Sequence, residues 1–334
     1  MPISEIELVE RLRSLAERGA RGRHPSLRRG IGDDCAVIAS SRNCDLLITT
    51  DLFLEDVHFR SEWNEPASAG HKTLARGLSD IAAMGGVPRY VFLSLGLPRR
   101  WRAGSLDAFD EFFKGFFALA QRTGVVLAGG DTGASPRRLV ADIVVVGETP
   151  RRQAVLRSGA RPGDQIWVTG QLGLASVGLG LLQHSGARRK AAQQPRTEFE
   201  AAALRAFLFP EPRLRAGQWL RQRKLPSAMM DLSDGLSLDL ARLCQESGVA
   251  ARVYQDRIPR TPQTPLRNAL HGGEDLELLF TVRPRHADAL PRRIGGLPLT
   301  RIGEIVAAPK RGPRVVLVSG DKERPLPAKG FQHF

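Results

Sequence analysis

The chain has 334 residues, 42% of them hydrophobic and 25% charged, a composition that argues against disorder and a length that favours two domains. Its formal net charge of +14 invites a nucleic-acid reading, yet only seven of the 49 basic residues are Lys and the Arg residues fall in scattered pairs, with no basic tail, RNP-type aromatic motif or zinc-finger spacing. Cys35, Cys44 and Cys244 lack the number and spacing of a disulfide framework or zinc site and read as buried small hydrophobes, and without a signal-like start or an apolar run of membrane length the expected location is cytoplasmic.

Residues Ile3 to Glu17 place Ile6, Leu8, Val9, Leu12 and Leu15 at near-helical spacing behind Ser4, which predicts a packing helix. After a basic loop come Gly30-Ile31-Gly32-Asp33-Asp34 and then Asp45 to Thr50, a short strand expected to deliver Asp51 at its end. In Val57-His58-Phe59 the histidine is either a packed core residue or a functional one. Ser68 to Met84 predicts a helix with Ser68 as its cap and Gly85-Gly86-Val87-Pro88 as its stop. Asp80 falls late in that helix, where the helix dipole disfavours a carboxylate. It is therefore either solvated or beside a cation.

Tyr90 to Leu97 reads as a strand and Leu106 to Arg122 as a helix whose five Phe residues belong to the core or a subunit interface. Val125 to Ala128 is a strand running into Gly129-Gly130-Asp131-Thr132, and Leu139 to Gly147 is a β-branched strand. Alternation of strands and helices indicates an α/β (α+β) architecture. The polar stretch Glu148 to Arg152 marks the expected boundary, giving domains 1–148 and 149–334.

In the second half, Gln165 to Thr169 is a strand, and Gly170-Gln171-Leu172-Gly173 turns into a helix through Leu182. That turn can hold a phosphate on free N–H groups or be purely structural. His184 to Arg196 is a basic polar loop, and helices follow over Glu198 to Phe207 and Pro212 to Arg223. Ala228 to Met230 leads as a strand to Asp231, and Gly235 to Glu246 is a helix capped by Asp234 or Ser233. Two Asp and a Ser at one strand-to-helix turn exceed what a cap requires and favour metal or nucleotide contact. Gly272-Gly273-Glu274-Asp275 precedes the strand Glu277 to Val282, and strands over Leu299 to Ile305 and Arg314 to Val318 lead to a tail containing Phe331.

Asp therefore recurs beside Ser, Thr and Gly in five separate segments. Carboxylates gathered in one site repel one another unless a cation lies between them. Oxygen-only ligands select a hard ion such as magnesium, which is commonly shared with substrate phosphates. No Walker A motif, protein-kinase loop set, G-x-S-x-G elbow or H-E-x-x-H helix is present, so the chemistry indicated is metal-assisted phosphoryl transfer or an ATP-dependent synthetase, with Arg157 and Arg161 as candidate clamps.

Eight segments in order carry a resemblance. They are Gly30 to Asp34, Thr49-Thr50-Asp51, Val57-His58-Phe59, Leu78 to Gly85, Gly129 to Thr132, Arg157 to Ala160, Asp231 to Leu236 and Gly272 to Asp275. On these the chain resembles the thiamine-monophosphate kinase family, of the superfamily shared with aminoimidazole ribonucleotide synthetase and selenophosphate synthetase. The resemblance implies a two-domain fold of the aminoimidazole ribonucleotide synthetase type, with N-terminal domains paired in a homodimer and ATP bound with several magnesium ions. It implies Asp34, Thr49, Thr50, Asp51, Asp80, Asp131, Asp231 and Asp234 as magnesium ligands. Gly130, Asp131, Arg157 and Ser233 would contact ATP, and His58, Glu274 and Phe331 would contact thiamine monophosphate.

The implied reaction is direct in-line transfer of the γ-phosphoryl group to thiamine monophosphate, giving thiamine diphosphate. No membrane or nucleic-acid partner is expected. The chain departs from the family pattern at Asp56, where Gly is usual, at Gly77, where Asn is common, and at Leu276, where Tyr is usual. Asp56 puts an extra negative charge beside the implied substrate site. Another synthetase of the superfamily and a phosphate- or nucleic-acid-binding protein without turnover are the alternative readings.

Overall fold

The computed structural model describes residues 11, 14, 15, 18, 27–29, 37, 38, 43–102, 106–184, 195, 197–310 and 312–331. Most of the expected N-terminal helix, the Gly30 to Asp34 segment with Asp34, Cys35 and most of the loop from His184 to Arg196 lie outside the described residues. The chain divides into two compact units, one of Met1–Ile81 with Val87–Arg152 and one of Ala82–Gly86 with Gln153–Phe334. Among the described residues no helix is long and apolar enough to cross a membrane.

The first unit begins with a small antiparallel pair, β1 (Leu27–Arg29) and β2 (Val37–Ile38). Its main sheet contains β3 (Cys44–Leu54), β4 (Val87–Pro98), β5 (Val126–Ser135) and β6 (Val140–Pro150), in the order β3-β6-β4-β5. Only β4 and β5 run parallel. All four strands are longer than the sequence pattern suggested. Asp51 lies inside β3 rather than at its end, because Leu52, Phe53 and Leu54 continue the pairing with β6. The Gly129 to Thr132 segment lies inside β5, paired residue by residue with Phe92 to Leu95 of β4.

Helix α1 (Pro66–Ala83) except its last two residues, the short α2 (Arg99–Arg102) and α3 (Asp107–Thr123) belong to this unit. The expected cap Ser68 is instead buried inside α1, where its hydroxyl donates to the Glu65 carbonyl at 2.9 Å. All five Phe residues of α3 are buried and meet one another in tilted and edge-to-face contacts as core. The helices approach closely at Gly70 and Gly115. A Cβ at Gly115 would lie 1.8 Å from the Ala67 carbonyl oxygen, so only glycine permits the crossing.

The second unit is built on an eight-stranded sheet ordered β14-β13-β9-β12-β7-β10-β8, with β11 paired to β12. Its strands are β7 (Gln165–Thr169), β8 (Pro226–Leu232), β9 (Val249–Tyr254), β10 (Glu277–Val282), β11 (Arg293–Ile294), β12 (Leu297–Ala307), β13 (Val315–Ser319) and β14 (Lys322–Pro325). Strand β10 is buried at every position and lies between β7 and β8, as expected for a run covered on both faces. Helices α4 (Leu174–His184), α5 (Glu198–Leu208), α6 (Leu214–Gln222), α7 (Leu236–Ser247), α8 (Leu266–His271) and α9 (Pro284–Ala287) complete the unit. Its core joins Ile166, Val168, Met230, Leu240, Leu243 and Leu279. Cys244 is part of that core, its thiol pushed up to about 12 by burial, whereas Cys44 is only half-buried.

Adding a single methyl at the α1–α3 crossing forces two helices apart. Gly115→Ala is expected to destabilise the first unit by about 1–3 kcal/mol in chemical denaturation, and an unchanged midpoint would refute the tight crossing.

Candidate functional sites in the two units

In the first unit the alternation of β3 decides which oxygens can meet. Leu47, Thr49, Asp51 and Phe53 share the face toward α1, with Leu47 and Phe53 buried. Thr49 Oγ1 donates to Asp80 Oδ2 at 2.6 Å. One step along the strand, Asp51 receives both arms of Arg76, Nε to Oδ2 and Nη2 to Oδ1, each at 2.9 Å. Asp80 is therefore half-buried and held from β3, not a freely solvated surface carboxylate.

Thr50 points to the opposite face with Leu46, Ile48 and Leu52. Asp131 shares that opposite face, since the register runs Leu52 to Asp142, Asp142 to Ser94 and Ser94 to Asp131 across the sheet. Gly130 sits one residue earlier, where a Cβ would lie 1.9 Å from the Leu93 carbonyl oxygen. The structure thus groups Thr49, Asp51 and Asp80, and places Thr50 and Asp131 across the sheet from them. Among the described residues no three His, Cys, Asp or Glu side chains form a metal-holding group.

His58 is buried and stacks on Phe53. Its Nδ1 accepts the Leu54 N–H at 2.9 Å, so a neutral ring carries its proton on Nε2 and presents a donor there. Neighbouring Asp56 has φ of 74°, a conformation that explains why glycine suits the position. Its charge is met by Arg138 at 2.5 Å, which removes an isolated negative charge beside His58. Glu55 is also paired. Burial pushes its carboxyl up, but bonds from Ser61, the Leu139 N–H and Arg100 carry it below its ordinary value.

In the second unit, Asp231 is buried within β8, opposite Leu278. The chain then turns through Ser233 and Asp234 into α7, and this turn collects partners from two distant segments. The Glu274 N–H donates to the Ser233 carbonyl at 2.7 Å, the Leu276 N–H to the Leu232 carbonyl at 2.9 Å, and the Phe331 N–H to the Asp234 carbonyl at 3.1 Å. Asp231, Ser233, Asp234, Glu274 and Phe331 are thereby brought to one place. Glu274 and Leu276 pay for this with φ of 67° and 50°, left-handed conformations rare for side chains of their size.

Neither Ser233 nor Asp234 caps α7. Gly235 is the N-cap residue, and Asp239 reaches back from inside the helix so that its Oδ2 accepts the Asp234 and Gly235 N–H groups at 3.0 and 2.9 Å. Burial, with the nearby Asp234 charge, pushes the Asp239 carboxyl up to about 7. Asp234 is left to pair with Arg242. Arg157 lies elsewhere: its carbonyl accepts a bond from Ser247, the last residue of α7, which has 12 residues, about 18 Å from the Asp234 end at 1.5 Å per residue. Arg161 is exposed.

The turn Gly170 to Gly173 proves structural. Its helix N-terminus is occupied by Asp275, which accepts the Gly173 N–H at 2.6 Å and the Ala175 N–H at 3.3 Å. Glu277 is locked beside it by both arms of Arg213, at 2.8 and 2.6 Å, and by the Thr169 hydroxyl at 2.5 Å. Sequence reasoning missed Arg76, Arg213 and Asp239. For Arg76 the available signal was its position four residues before Asp80, which puts both on one helix face.

The family model for the N-terminal domain of AIR synthase related proteins matches residues 32–149, and that for the C-terminal domain matches residues 161–316. Thiamine-monophosphate kinase of Bacillus subtilis is 33% identical over 319 residues, covering 93% of this chain and 95% of that one. The Escherichia coli K12 protein of the same name is 36% identical and covers 91% of each. Among solved structures, thiamine-monophosphate kinase from Stenotrophomonas maltophilia K279a superposes with a TM-score of 0.80 at 36% identity, over 95% of this chain and 97% of that one. A structure described as AaThiL complexed with AMPPCP and TMP gives 0.73 at 29% identity, over 99% and 97%. The hydrogenase maturation protein HypE, at 19% identity and a TM-score of 0.73, shares the fold.

Asp275 carries a pH signature. Burial raises its carboxyl from 3.8 to about 7, so its contribution to stability is full below pH 3.8 and lost as pH rises through about 7. Asp275→Asn keeps an acceptor for the Gly173 N–H without the buried charge. Denaturation of both proteins across pH 4 to 8 should show the wild type losing a few kcal/mol relative to the variant, and a constant difference would refute the raised value.

Proposed function

The chain belongs to the AIR synthase related family and, within it, to the thiamine-monophosphate kinases, and from that premise we propose how its own residues serve that reaction. The protein phosphorylates thiamine monophosphate with ATP to form thiamine diphosphate. Its acceptor is a phosphate monoester with a second pKa of about 6, largely ionised at neutral pH, so no general base is required. His58 fits this requirement: with Nδ1 committed to the Leu54 N–H, it offers an Nε2–H donor for an anionic oxygen.

The observation that carries the residue assignments is the Arg76 guanidinium on Asp51, a cation already standing where a metal ligand is proposed. Thr49, Asp51 and Asp80 supply only oxygens, as magnesium requires. Buried Thr132 Oγ1 has no hydrogen-bond partner among the described residues and lies on the face of β5 opposite Asp131. We assign Asp34, Thr49, Thr50, Asp51, Asp80 and Asp131 of the first unit, and Asp231 and Asp234 of the second, to magnesium. When bound, the ions would neutralise charge on the phosphoryl oxygens. Gly130, Asp131, Arg157 and Ser233 are assigned to ATP, and His58, Glu274 and Phe331 to thiamine monophosphate.

A domain boundary after residue 148 and a cytoplasmic location are part of this reading. So is a homodimer through the open face of β3, where Leu46, Ile48 and Leu52 are 55%, 64% and 52% exposed on an edge strand. Such a stripe is an association surface rather than a solvated face.

Two measurements test the reading. ADP formation from magnesium-ATP should require thiamine monophosphate and fall roughly 10²–10³-fold in Asp51→Asn; acceptor-independent turnover would count against the kinase assignment. Ile48→Glu should sediment as a monomer where the wild type sediments as a dimer, and a dimeric variant would move the interface away from β3.

A further inference from the structure

The mechanism above uses Asp51 as a metal ligand, but in this structure both of its carboxylate oxygens are already engaged. Arg76 Nε and Nη2 hold them as a planar fork, each at 2.9 Å, and the two side chains are 19% and 22% exposed. Bidentate pairing in a half-buried setting fixes the carboxylate plane as well as its charge. Magnesium demands an oxygen at about 2.0–2.1 Å in near-octahedral geometry, so it must draw one oxygen out of that fork or share it against a guanidinium at close range.

We propose that Arg76 is a positioning residue with a second role: it serves as the internal counter-cation of Asp51 in the metal-free protein and competes with magnesium for that carboxylate. The proposal rests on the assignment of Asp51 as a magnesium ligand. It goes beyond that assignment by naming the residue that sets how much free magnesium the site needs. Arg76 is placed for this by the fold. It lies on α1 one turn before Asp80, which receives Thr49, so the same helix face presents a hydrogen-bond acceptor to one β3 side chain and a cation to the next.

Removing the guanidinium has opposite effects on the two states. The metal-free protein loses the partner of a half-buried carboxylate, whereas the metal-bound protein is relieved of a neighbouring positive charge. The variant should therefore be less thermostable without metal, recover on adding magnesium, and bind the ion more tightly.

The test is binding of manganese(II), a paramagnetic probe for the magnesium site, followed by electron paramagnetic resonance on the full chain without nucleotide. Arg76→Gln should bind roughly tenfold more tightly than wild type. Arg76→Met, which keeps the apolar stem, should do the same, and circular dichroism confirms that each variant is folded. Asp51→Asn is the reference: if it leaves manganese binding unchanged, the ligand assignment itself fails. If Asp51→Asn weakens binding while Arg76→Gln and Arg76→Met bind no more tightly than wild type, the ligand assignment stands and the competition is overturned.

Discussion

The first unit depends on a match between two repeats. Alternate residues of a strand lie about 6.8 Å apart and every fourth residue of a helix about 6.0 Å apart, so a helix lying along a strand face can meet it at successive rungs. Thr49 with Asp80 and Asp51 with Arg76 are two such rungs of β3 and α1. Carried one step further, the repeats put Lys72 level with Phe53, and Lys72 is 1% exposed. A stripe of Lys72, Arg76 and Asp80 at spacing of four is thus turned inward. For Arg76 and Asp80 the cost of burial is offset by the Asp51 charge and the Thr49 hydroxyl across the gap.

The second unit solves a related problem with backbone rather than with a helix stripe. Its acidic turn at Asp231 to Asp234 is stitched by main-chain bonds to Glu274 and Phe331, which are distant in sequence. The segment from Gly272 to Glu277 sends each of its carboxylates to a different task. Glu274 stands beside Ser233, Asp275 closes the N-terminus of α4, and Glu277 locks Arg213 against β7. Left-handed backbone at Glu274 and Leu276 is what lets consecutive side chains diverge so sharply.

Much of this was legible because short apolar runs bounded by glycine or proline leave little freedom. Strands β7 and β10 coincide with their expected limits, and the Phe-rich helix is core. The acidic segments misled in a consistent direction. Asp and Gly have weak strand preference, so Asp51, Asp131 and Asp231 read as sitting just beyond strands, yet each lies within one, held by neighbours far along the chain. Because of that extension, side chains adjacent in sequence part company: Thr49 and Thr50 face opposite sides of one sheet. The capping of α7 was misread for another reason. A carboxylate inside the first turn, Asp239, can reach the free N–H groups as well as a residue before it. Local sequence does not distinguish the two.

The abundance of Arg also acquires a physical meaning. Asp51 pairs with Arg76 and Asp234 with Arg242, so in each unit a carboxylate proposed for magnesium already has a guanidinium beside it. Asp56 with Arg138, Glu55 with Arg100 and Glu148 with Arg89 extend the pattern through the first unit. A protein that gathers acidic groups must remain folded before its metals arrive. Arg suits that interval because it stays charged at every working pH and meets a carboxylate in a single plane. The pairs differ in accessibility: side-chain exposure is 19% for Arg76 but 42% for Arg242. Solvent weakens the outer pair and leaves its Asp easier to surrender, while the inner pair retains its hold. How firmly each guanidinium holds its carboxylate is therefore set by how deeply the pair is buried.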